Sequence, residues 1–168
     1  MSEMLSKRQH AVKDETTTAK PSRTAAGDAF TSFVVQVARL GAEFTAIGEH
    51  LAALGDLTLA HWVVLDAADD GPFSVAQIAR RLGLARQSVQ RIADLLARDG
   101  MAVYADNPDH RRAKLLRPTA AGRRVVIKIA AAQKGWADAL GAEIGEAELR
   151  ASSDLLRRIQ RLAADSEH

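Results

Sequence analysis

The sequence predicts an α+β fold that is mostly helical, with one small β-hairpin. Ala, Leu, Val and Arg dominate the composition and only 4% of the residues are aromatic, a balance that favours helices over sheets. Apolar residues recur at helical spacing through most of residues 28–164. Between residues 101 and 118 the pattern changes to two short β-compatible runs on either side of a turn, which is typical of a hairpin.

Composition narrows the function classes. The 168 residues carry a net charge of only +2 and include no cysteine, which excludes disulfides and thiolate metal sites. The five histidines lack the tight spacing of metal ligands, so we expect neither a metal nor a cofactor. Nucleophile-elbow, phosphate-loop and metalloprotease motifs are missing, which argues against an enzyme. Without a long apolar run or a secretory signal, we expect a cytoplasmic protein with no membrane association.

The N-terminal part predicts a polar tail followed by a long helix. Residues 1–27 are rich in Thr, Ser and Lys and lack periodicity, which is typical of a flexible tail. The alternative is that some of these residues become ordered against a partner subunit. From Asp28, the expected N-cap, to Gly55, the expected end, apolar residues alternate three and four apart. These residues are Phe30, Phe33, Val37, Leu40, Phe44, Ile47, Leu51 and Leu54.

Such a seam is typical of one helix lying along another. Gly41, Gly48 and Gly55 follow the seam at intervals of seven residues. We interpret Gly41 and Gly48 as sites where the backbone of another helix approaches closely, and Gly55 as the end of the helix. We therefore predict that residues 28–55 form a dimerisation helix. The alternative is that the stripe faces the protein's own core.

Three shorter helices come next. Thr58 is a plausible cap for "LTLAHWVVLDAADD", and "DGP" at 70–72 breaks the chain. Ser74 is the expected cap of "SVAQIARRLG", which Gly83 closes. The third helix runs from about Ala85 to Asp99 and stops at Gly100.

The last two of these helices, joined by a Gly-containing turn, describe a helix-turn-helix. Its second helix buries Val89, Ile92, Leu95 and Leu96 while its first turns carry hydrogen-bonding side chains. Arginine suits guanine or phosphate and glutamine suits adenine. The predicted DNA contacts on this helix are Arg86, Gln87, Ser88, Gln90 and Arg91.

The hairpin adds a basic wing. "MAVYA" and "KLLRP" are the predicted strands, and Arg111, Arg112 and Lys114 lie in or beside the turn between them. Guanidinium groups at a narrow tip are attracted into a minor groove, and we favour Arg112 over Arg111 for that contact. Thr119 then caps the C-terminal helices, residues 119–164, which "GE" at 145–146 interrupts.

With these motifs in order, the sequence resembles the MarR family of bacterial winged-helix transcription regulators. The matching stretches are "LTLAHWVVL" at 57–65, "SVAQIARRLGLARQSVQRIADLLARDGMAVY" at 74–104 and "NPDHRRAKLLRPTAAGRR" at 107–124. The resemblance implies a homodimer in which a winged helix-turn-helix region, residues 56–118, lies between N- and C-terminal dimerisation helices. It further implies binding to a pseudo-palindromic operator in double-stranded DNA, repression, and release by a small aromatic or lipophilic effector. By resemblance alone, Phe44, His61 and Trp62 are candidates for the effector pocket.

Three positions depart from the family pattern. The acid that usually braces the wing arginine is replaced by His110, with Asp109 beside it, so either residue is a candidate brace. Pro118 stands where leucine is usual, which the end of an edge strand tolerates, and Ala85 stands where Ser or Thr often caps the recognition helix. Two other functions stay open: an architectural DNA binder without an effector, and a winged-helix protein-interaction module.

Overall fold

A computed structural model describes residues 23–108 and 113–166 and confirms a mostly helical α+β fold. The helices are α1 (Ala25–Ala53), α2 (Leu59–Asp69), α3 (Val75–Leu82), α4 (Arg86–Arg98), α5 (Ala120–Ile144) and α6 (Glu146–Asp165). The strands are β1 (Phe73–Ser74), β2 (Ala102–Ala105) and β3 (Leu115–Pro118). The chain separates into two compact units whose boundary falls within α1, after Leu40.

Helix α1 begins earlier and ends earlier than predicted. The Gly27 N–H donates to the Thr24 hydroxyl at 3.1 Å, so Thr24, not Asp28, caps the helix. Asp28 lies in the first turn, where a negative charge complements the helix dipole. The helix ends at Ala53, and the residue that adopts a left-handed conformation after it is Asp56, with φ of 57°, rather than Gly55.

The glycines of the seam have three different environments. A Cβ at Gly55 would lie 2.5 Å from Val125 Cγ1 on α5, and one at Gly48 would lie 2.9 Å from Leu59 Cδ1 on α2. A Cβ at Gly41 would meet no atom within 4 Å. Close approach therefore explains Gly48 and Gly55, but the approaching atoms are side chains of the same chain. Among residues 23–108 and 113–166, no helix approaches Gly41 closely, so the prediction made for this glycine has no support within those residues.

The apolar seam of α1 divides into two parts. Leu51 is buried and packs with Trp62 and Ile129, and Ile47 packs against this cluster. The alternative interpretation, a stripe facing the protein's own core, therefore holds at the C-terminal end of α1. Closer to the N-terminus the seam is exposed, with Leu40 47% and Phe44 49% accessible.

The main core lies where α2, α3, α4 and the sheet meet. Its largest fully buried side chains are Val64, Leu65, Ile78, Val89, Leu96 and Leu116. Thr58 accepts a hydrogen bond from the His61 N–H and caps α2, as predicted. The Glu49 carboxylate on α1 also accepts from the Leu59 N–H at 2.9 Å. A second capping group on the same helix end fixes where α1 meets the domain.

The sheet has three antiparallel strands in the order β1-β3-β2. Strands β2 and β3 form the predicted hairpin, whereas the two-residue β1 was not predicted. Because β1 pairs with Leu115 and Leu116, β3 is the central strand, and the prediction of an edge strand at Pro118 was wrong. Pro118 lies past the end of β1 and pairs only with Ala102, so its missing N–H costs no bond to β1.

Thr119 joins the end of α4 to the start of α5. Its hydroxyl accepts from the Gly122 N–H at 3.1 Å and donates to the Gly100 carbonyl at 2.7 Å, while its backbone N–H donates to the Met101 carbonyl at 2.9 Å. A Cβ at Gly122 would lie only 2.0 Å from that same Met101 oxygen. The Thr-x-x-Gly motif therefore connects the end of α4 to the start of α5. Thr119 makes the hydrogen bonds, and the missing side chain of Gly122 allows the Met101 carbonyl to approach.

Candidate nucleic-acid interface

A tight turn sets α4 against α3. At the start of α3 the Gln77 side-chain oxygen accepts from both the N–H and the hydroxyl of Ser74, each at 2.8 Å. At its end Gly83 adopts a left-handed conformation with φ of 65°, and its N–H donates to the Ala79 carbonyl. Only glycine takes this conformation without a steric cost. The predicted helix boundaries at Ser74 and Gly83 are confirmed, and α4 starts three residues after the turn.

Helix α4 is anchored on one side and open on the other. Val89, Ile92, Ala93 and Leu96 are buried in the core. Arg86, Gln87, Ser88 and Arg91 are exposed, and Gln90 is half-buried between the two sides. Ala85 precedes the helix and makes no side-chain cap bond, as its identity predicted. The helix thus presents hydrogen-bonding side chains over its first two turns from a fixed base.

An open groove of about 700 Å³ runs along this exposed face. Besides Leu95, its lining consists of Arg86, Gln87, Gln90, Arg91, Asp94 and Arg98. Arginine binds phosphates and the base edge of guanine, and glutamine binds the base edge of adenine. The lining also includes a carboxylate, that of Asp94.

Asp94 is held in a network with Gln90 and Tyr104. The Gln90 Nε2 donates to Asp94 Oδ1 at 2.9 Å and to Tyr104 Oη at 2.7 Å, and Tyr104 Oη donates to Asp94 Oδ1 at 2.6 Å. Burial, followed by the hydrogen bond to Asp94, raises the pKa of Tyr104 from 10.0 to about 12. Tyr104 lies on β2, so the network joins the exposed face of α4 to the hairpin.

The base of the predicted wing is well defined. Val103 pairs with Arg117 and Tyr104 with Leu116 across the hairpin, and the Asn107 side-chain amide donates to the Ala113 carbonyl at 2.9 Å. Lys114 and Arg117 are exposed. The predicted tip residues Arg111 and Arg112, with the candidate braces Asp109 and His110, lie outside the described residues.

Some nearby basic residues are held in contacts within the chain. Arg81 Nη2 lies 3.3 Å from Asp70 Oδ2, and its guanidinium carbon lies 4.4 Å above the centre of the Phe73 ring. Arg123 Nε lies 2.9 Å from Asp69 Oδ1. Exposed pairs of this kind contribute little stability, but they orient both guanidinium groups toward the protein.

The three candidates for an effector pocket have separate surroundings. Phe44 stands edge-on to Trp136 with ring centres 6.0 Å apart. His61 Nδ1 lies 2.6 Å from the Thr58 hydroxyl. Trp62 is buried beside Leu51, and its indole Nε1 has no hydrogen-bond partner in the described part of the chain.

A cavity of about 380 Å³ lies beside Trp62 and is lined also by Val63, Asp66, Ala67, Asp70, Arg81, Leu82 and Gln133. Neither Phe44 nor His61 belongs to this lining. Burial, and then the charges of Asp70 and Asp69, raises the pKa of the Asp66 carboxyl. The cavity therefore combines an aromatic wall with ionisable groups.

Two further types of feature were sought across residues 23–108 and 113–166. No helix there has the length and apolar character needed to cross a membrane. No group of three or more His, Asp or Glu side chains there is arranged to hold a metal ion.

The relation to known proteins decides the family. The model of the MarR family matches residues 55–113, which include α2, α3, α4 and β2. The uncharacterized protein Rv2011c of Mycobacterium tuberculosis is 38% identical over 132 residues, which cover 79% of this chain and 92% of that protein. The chain belongs to the MarR family. Resemblance had predicted the same membership from the helix-turn-helix, the wing and the Thr-x-x-Gly motif.

Solved structures of other proteins share the fold of this chain. The MarR family transcription regulator SP03579 superposes with a TM-score of 0.76 at 21% identity, covering 83% of this chain and 93% of its own. Streptococcus pneumoniae FabT, solved in complex with DNA, gives a TM-score of 0.67 at 16% identity, with coverages of 81% and 98%. The DNA binding of Bordetella bronchiseptica BpsR is regulated by 6-hydroxynicotinic acid. Its structure superposes with a TM-score of 0.64 at 23% sequence identity, covering 74% of this chain and 90% of its own. These likenesses confirm the winged-helix architecture of this MarR-family chain.

Sequence reasoning missed three residues of the candidate interface. Asp94 lies four residues after Gln90, a spacing at which helical side chains meet, so this contact was readable from the sequence. Tyr104 lies 14 residues from Gln90, and no sequence spacing indicates that contact. Arg98, in the same groove, was not predicted either.

Proposed function

We propose that this protein is a homodimeric, sequence-specific DNA-binding regulator of transcription that acts in the cytoplasm as a repressor. The supporting observation is α4, whose buried face fixes it to the domain while Arg86, Gln87, Ser88 and Arg91 project from its first two turns. A helix presented in this way fits a major groove with its N-terminal residues against base edges. The hairpin places Lys114 and Arg117 on the neighbouring exposed surface, where they add phosphate contacts.

Binding energy and specificity come from different residues of this surface. Arginine contacts with phosphate release counterions, so affinity falls steeply with salt. Base preference comes from side chains that reach base edges, and each good pair contributes about 1–3 kcal/mol of discrimination. Gln87 is exposed in the first turn of α4 and is our choice for such a contact, with Arg86 and Arg91 beside it. Arg112 is our choice for the minor groove, and Arg111 is the second candidate.

Selection of bound sequences from a random DNA pool tests this function. We expect one palindromic consensus whose half-sites lie about one helical turn, roughly 34–36 Å, apart. Gln87→Ala should relax the base preference at one position in each half-site. Arg150→Ala changes an exposed arginine on α6 and should leave the consensus intact. Uniform binding to all sequences would support the architectural alternative. Failure to bind any DNA at physiological salt would support the protein-interaction module.

The dimer is proposed from apolar side chains that this chain leaves in water. On α5 and α6 they include Leu140, Ile144, Leu149, Leu155, Leu156 and Leu162, and on α1 they include Phe30, Val34, Val37, Leu40 and Phe44. Exposed apolar stripes on long helices are typical of an interface, and a second copy of the chain offers the same stripes. Two copies also explain a palindromic operator.

Equilibrium sedimentation tests the dimer. We expect wild type to sediment as a dimer at micromolar concentration and Leu155→Lys to dissociate, because the substitution buries a charge in the proposed interface. Arg161→Ala, at an exposed position of the same helix that faces away from the apolar stripe, serves as the control. A folded wild-type monomer at micromolar concentration would contradict the interface.

Control by a small aromatic or lipophilic effector is the last part of the proposal. The cavity beside Trp62 supports it, as does the regulation of BpsR by 6-hydroxynicotinic acid. A ligand changes DNA affinity only if it binds the free and the DNA-bound states with different affinity. Operator complexes titrated with a panel of aromatic acids, 6-hydroxynicotinic acid among them, should release DNA for at least one member. Release by none would favour a regulator without an effector of this class.

A further inference from the structure

The three carboxyl groups near the C-terminal end of α2 are not equally paired. Asp69 Oδ1 lies 2.9 Å from Arg123 Nε on α5, and Asp70 Oδ2 lies 3.3 Å from Arg81 Nη2 on α3. Asp66 is half-buried, and within the part of the chain that the structure describes its carboxyl group belongs to no ion pair. The most enclosed of these acids therefore lacks the cation that the other two have.

A half-buried carboxylate of this kind favours a cation as its neighbour. Removing a charge from water costs free energy unless another charged or hydrogen-bonding group replaces the water. Burial, and then the charges of Asp70 and Asp69, raises the pKa of the Asp66 carboxyl, which is the direction expected for an acid without a cation beside it. A cation placed against Asp66 would relieve this cost.

The cavity beside Trp62 provides the space for such a cation. It has a volume of about 380 Å³, and both Asp66 and Trp62 line it. The two residues are four positions apart on α2, so their side chains lie on the same face of the helix, and aromatic rings attract cations. Val63, Ala67 and Leu82 add apolar surface to the lining. The cavity therefore suits a ligand with a positive charge on an apolar body.

The cationic side chain in the lining does not reverse this preference. Arg81 is held by Asp70, and its guanidinium carbon lies 4.4 Å above the centre of the Phe73 ring. Gln133 contributes a neutral amide from α5. Because Asp66 and Asp70 both line the cavity, a ligand carboxylate would be the third negative charge there. An acid should therefore bind less tightly than an amine with the same ring.

We propose that this cavity binds a small organic amine, whose ammonium group pairs with the Asp66 carboxylate while its apolar body lies against Trp62. This names the ligand class of the cavity that supports the effector in the proposed function. Any effect of the amine on DNA binding rests on that function, whereas binding of the amine is measured on the protein without DNA.

Isothermal titration calorimetry of the full-length protein at neutral pH tests the site with related compounds. 2-Phenylethylamine carries the ammonium group, 2-phenylethanol replaces it with a hydroxyl group, and phenylacetate carries a carboxylate. The amine should bind at least about tenfold more tightly than the alcohol, because hydrogen bonds to charged groups are the stronger ones. Phenylacetate should bind more weakly than the alcohol. Ethylamine, which lacks the ring, should bind at least about tenfold more weakly than 2-phenylethylamine.

Two variants assign the amine to Asp66. Asp66→Asn keeps the shape of the side chain and removes its charge, so it should bind 2-phenylethylamine about tenfold more weakly than wild type does. Its affinity for 2-phenylethanol should stay within about twofold of wild type. Asp138→Asn removes an exposed carboxylate of α5 that does not line this cavity, and it should bind every compound as wild type does. In urea without ligand, Asp66→Asn should be at least as stable as wild type, because an unpaired charge is removed.

Three results would overturn the inference. They are no heat of binding with millimolar 2-phenylethylamine, binding of the amine no tighter than that of the alcohol, or an unchanged affinity for the amine in Asp66→Asn. None of these results bears on the selection of an operator, so the proposed DNA-binding function would stand. If the amine binds through Asp66 and operator DNA is not released, the site is supported and the effector part of the proposed function fails.

Discussion

Gly122→Ala should destabilise the protein although alanine is the better helix former. A Cβ at this position would lie 2.0 Å from the Met101 carbonyl oxygen and 3.0 Å from its carbon. Both are backbone atoms, so the contact is relieved only by moving the start of α5 away from the end of α4. That movement stretches the 2.9 Å bond from the Thr119 N–H to the Met101 oxygen and the 2.7 Å bond from the Thr119 hydroxyl to Gly100.

The magnitude follows from three contributions. Overpacking costs about 1–3 kcal/mol, and loss of one of the Thr119 bonds costs about 1 kcal/mol more. The helix propensity of alanine returns roughly 1 kcal/mol. The free energy of unfolding should therefore fall by about 1–3 kcal/mol, since the gain in propensity offsets only the lost bond.

Urea denaturation at a fixed protein concentration measures this change. Gly135→Ala is the matched control, because Gly135 is on the same helix and a Cβ there would meet no atom of the described residues within 4 Å. The control should be neutral or more stable by up to about 1 kcal/mol. Equal stability of Gly122→Ala and Gly135→Ala would refute the explanation of the Thr-x-x-Gly motif.

Three other perturbations give defined outcomes. Thr119→Val should lower the free energy of unfolding by about 1–2 kcal/mol, because the helix cap is lost. Thr119→Ser keeps the hydroxyl, so its free energy of unfolding in the same urea titration should lie within about 0.5 kcal/mol of wild type. Gly55→Ala should lower the free energy of unfolding by about 1–3 kcal/mol, because its Cβ would lie 2.5 Å from Val125 Cγ1. Gly41→Ala should show no such loss in thermal or urea denaturation, because its Cβ would meet no atom of the described residues within 4 Å. Tyr104 is the only tyrosine of the chain, so tyrosinate absorbance in a pH titration reports it alone, and the midpoint should lie at about 12 rather than 10.0. Because the folded state holds the neutral phenol, the stability that Tyr104 contributes is complete below pH 10 and is lost as the pH rises toward 12. A midpoint near 10 in the folded protein would contradict the network, and Tyr104→Phe should remove this part of the alkaline instability.

Local signals in the sequence determined most helix boundaries. Thr58, Ser74, Gly83, Thr119 and the break at Gly145 mark helix ends because capping depends on residues within about four positions of one another. The same logic failed at α1, where we predicted Asp28 as the cap and the capping residue is Thr24, one turn earlier. The chemistry of α4 was also readable, since its buried stripe and its polar first turns follow from helical periodicity alone.

Tertiary structure decided what these residues do once they are in place. The sequence shows glycines at 55 and 122, but only packing shows that a side chain of α5 approaches the first and a backbone carbonyl the second. The α1 seam is continuous in the sequence, yet its C-terminal end enters the core while Leu40 and Phe44 stay exposed. The sequence does not indicate that the Gln90 side chain is hydrogen-bonded to Tyr104, a residue of the hairpin, and only the structure shows this contact. Contacts between residues far apart in the chain depend on how the elements pack, and periodicity within one element carries no information about them.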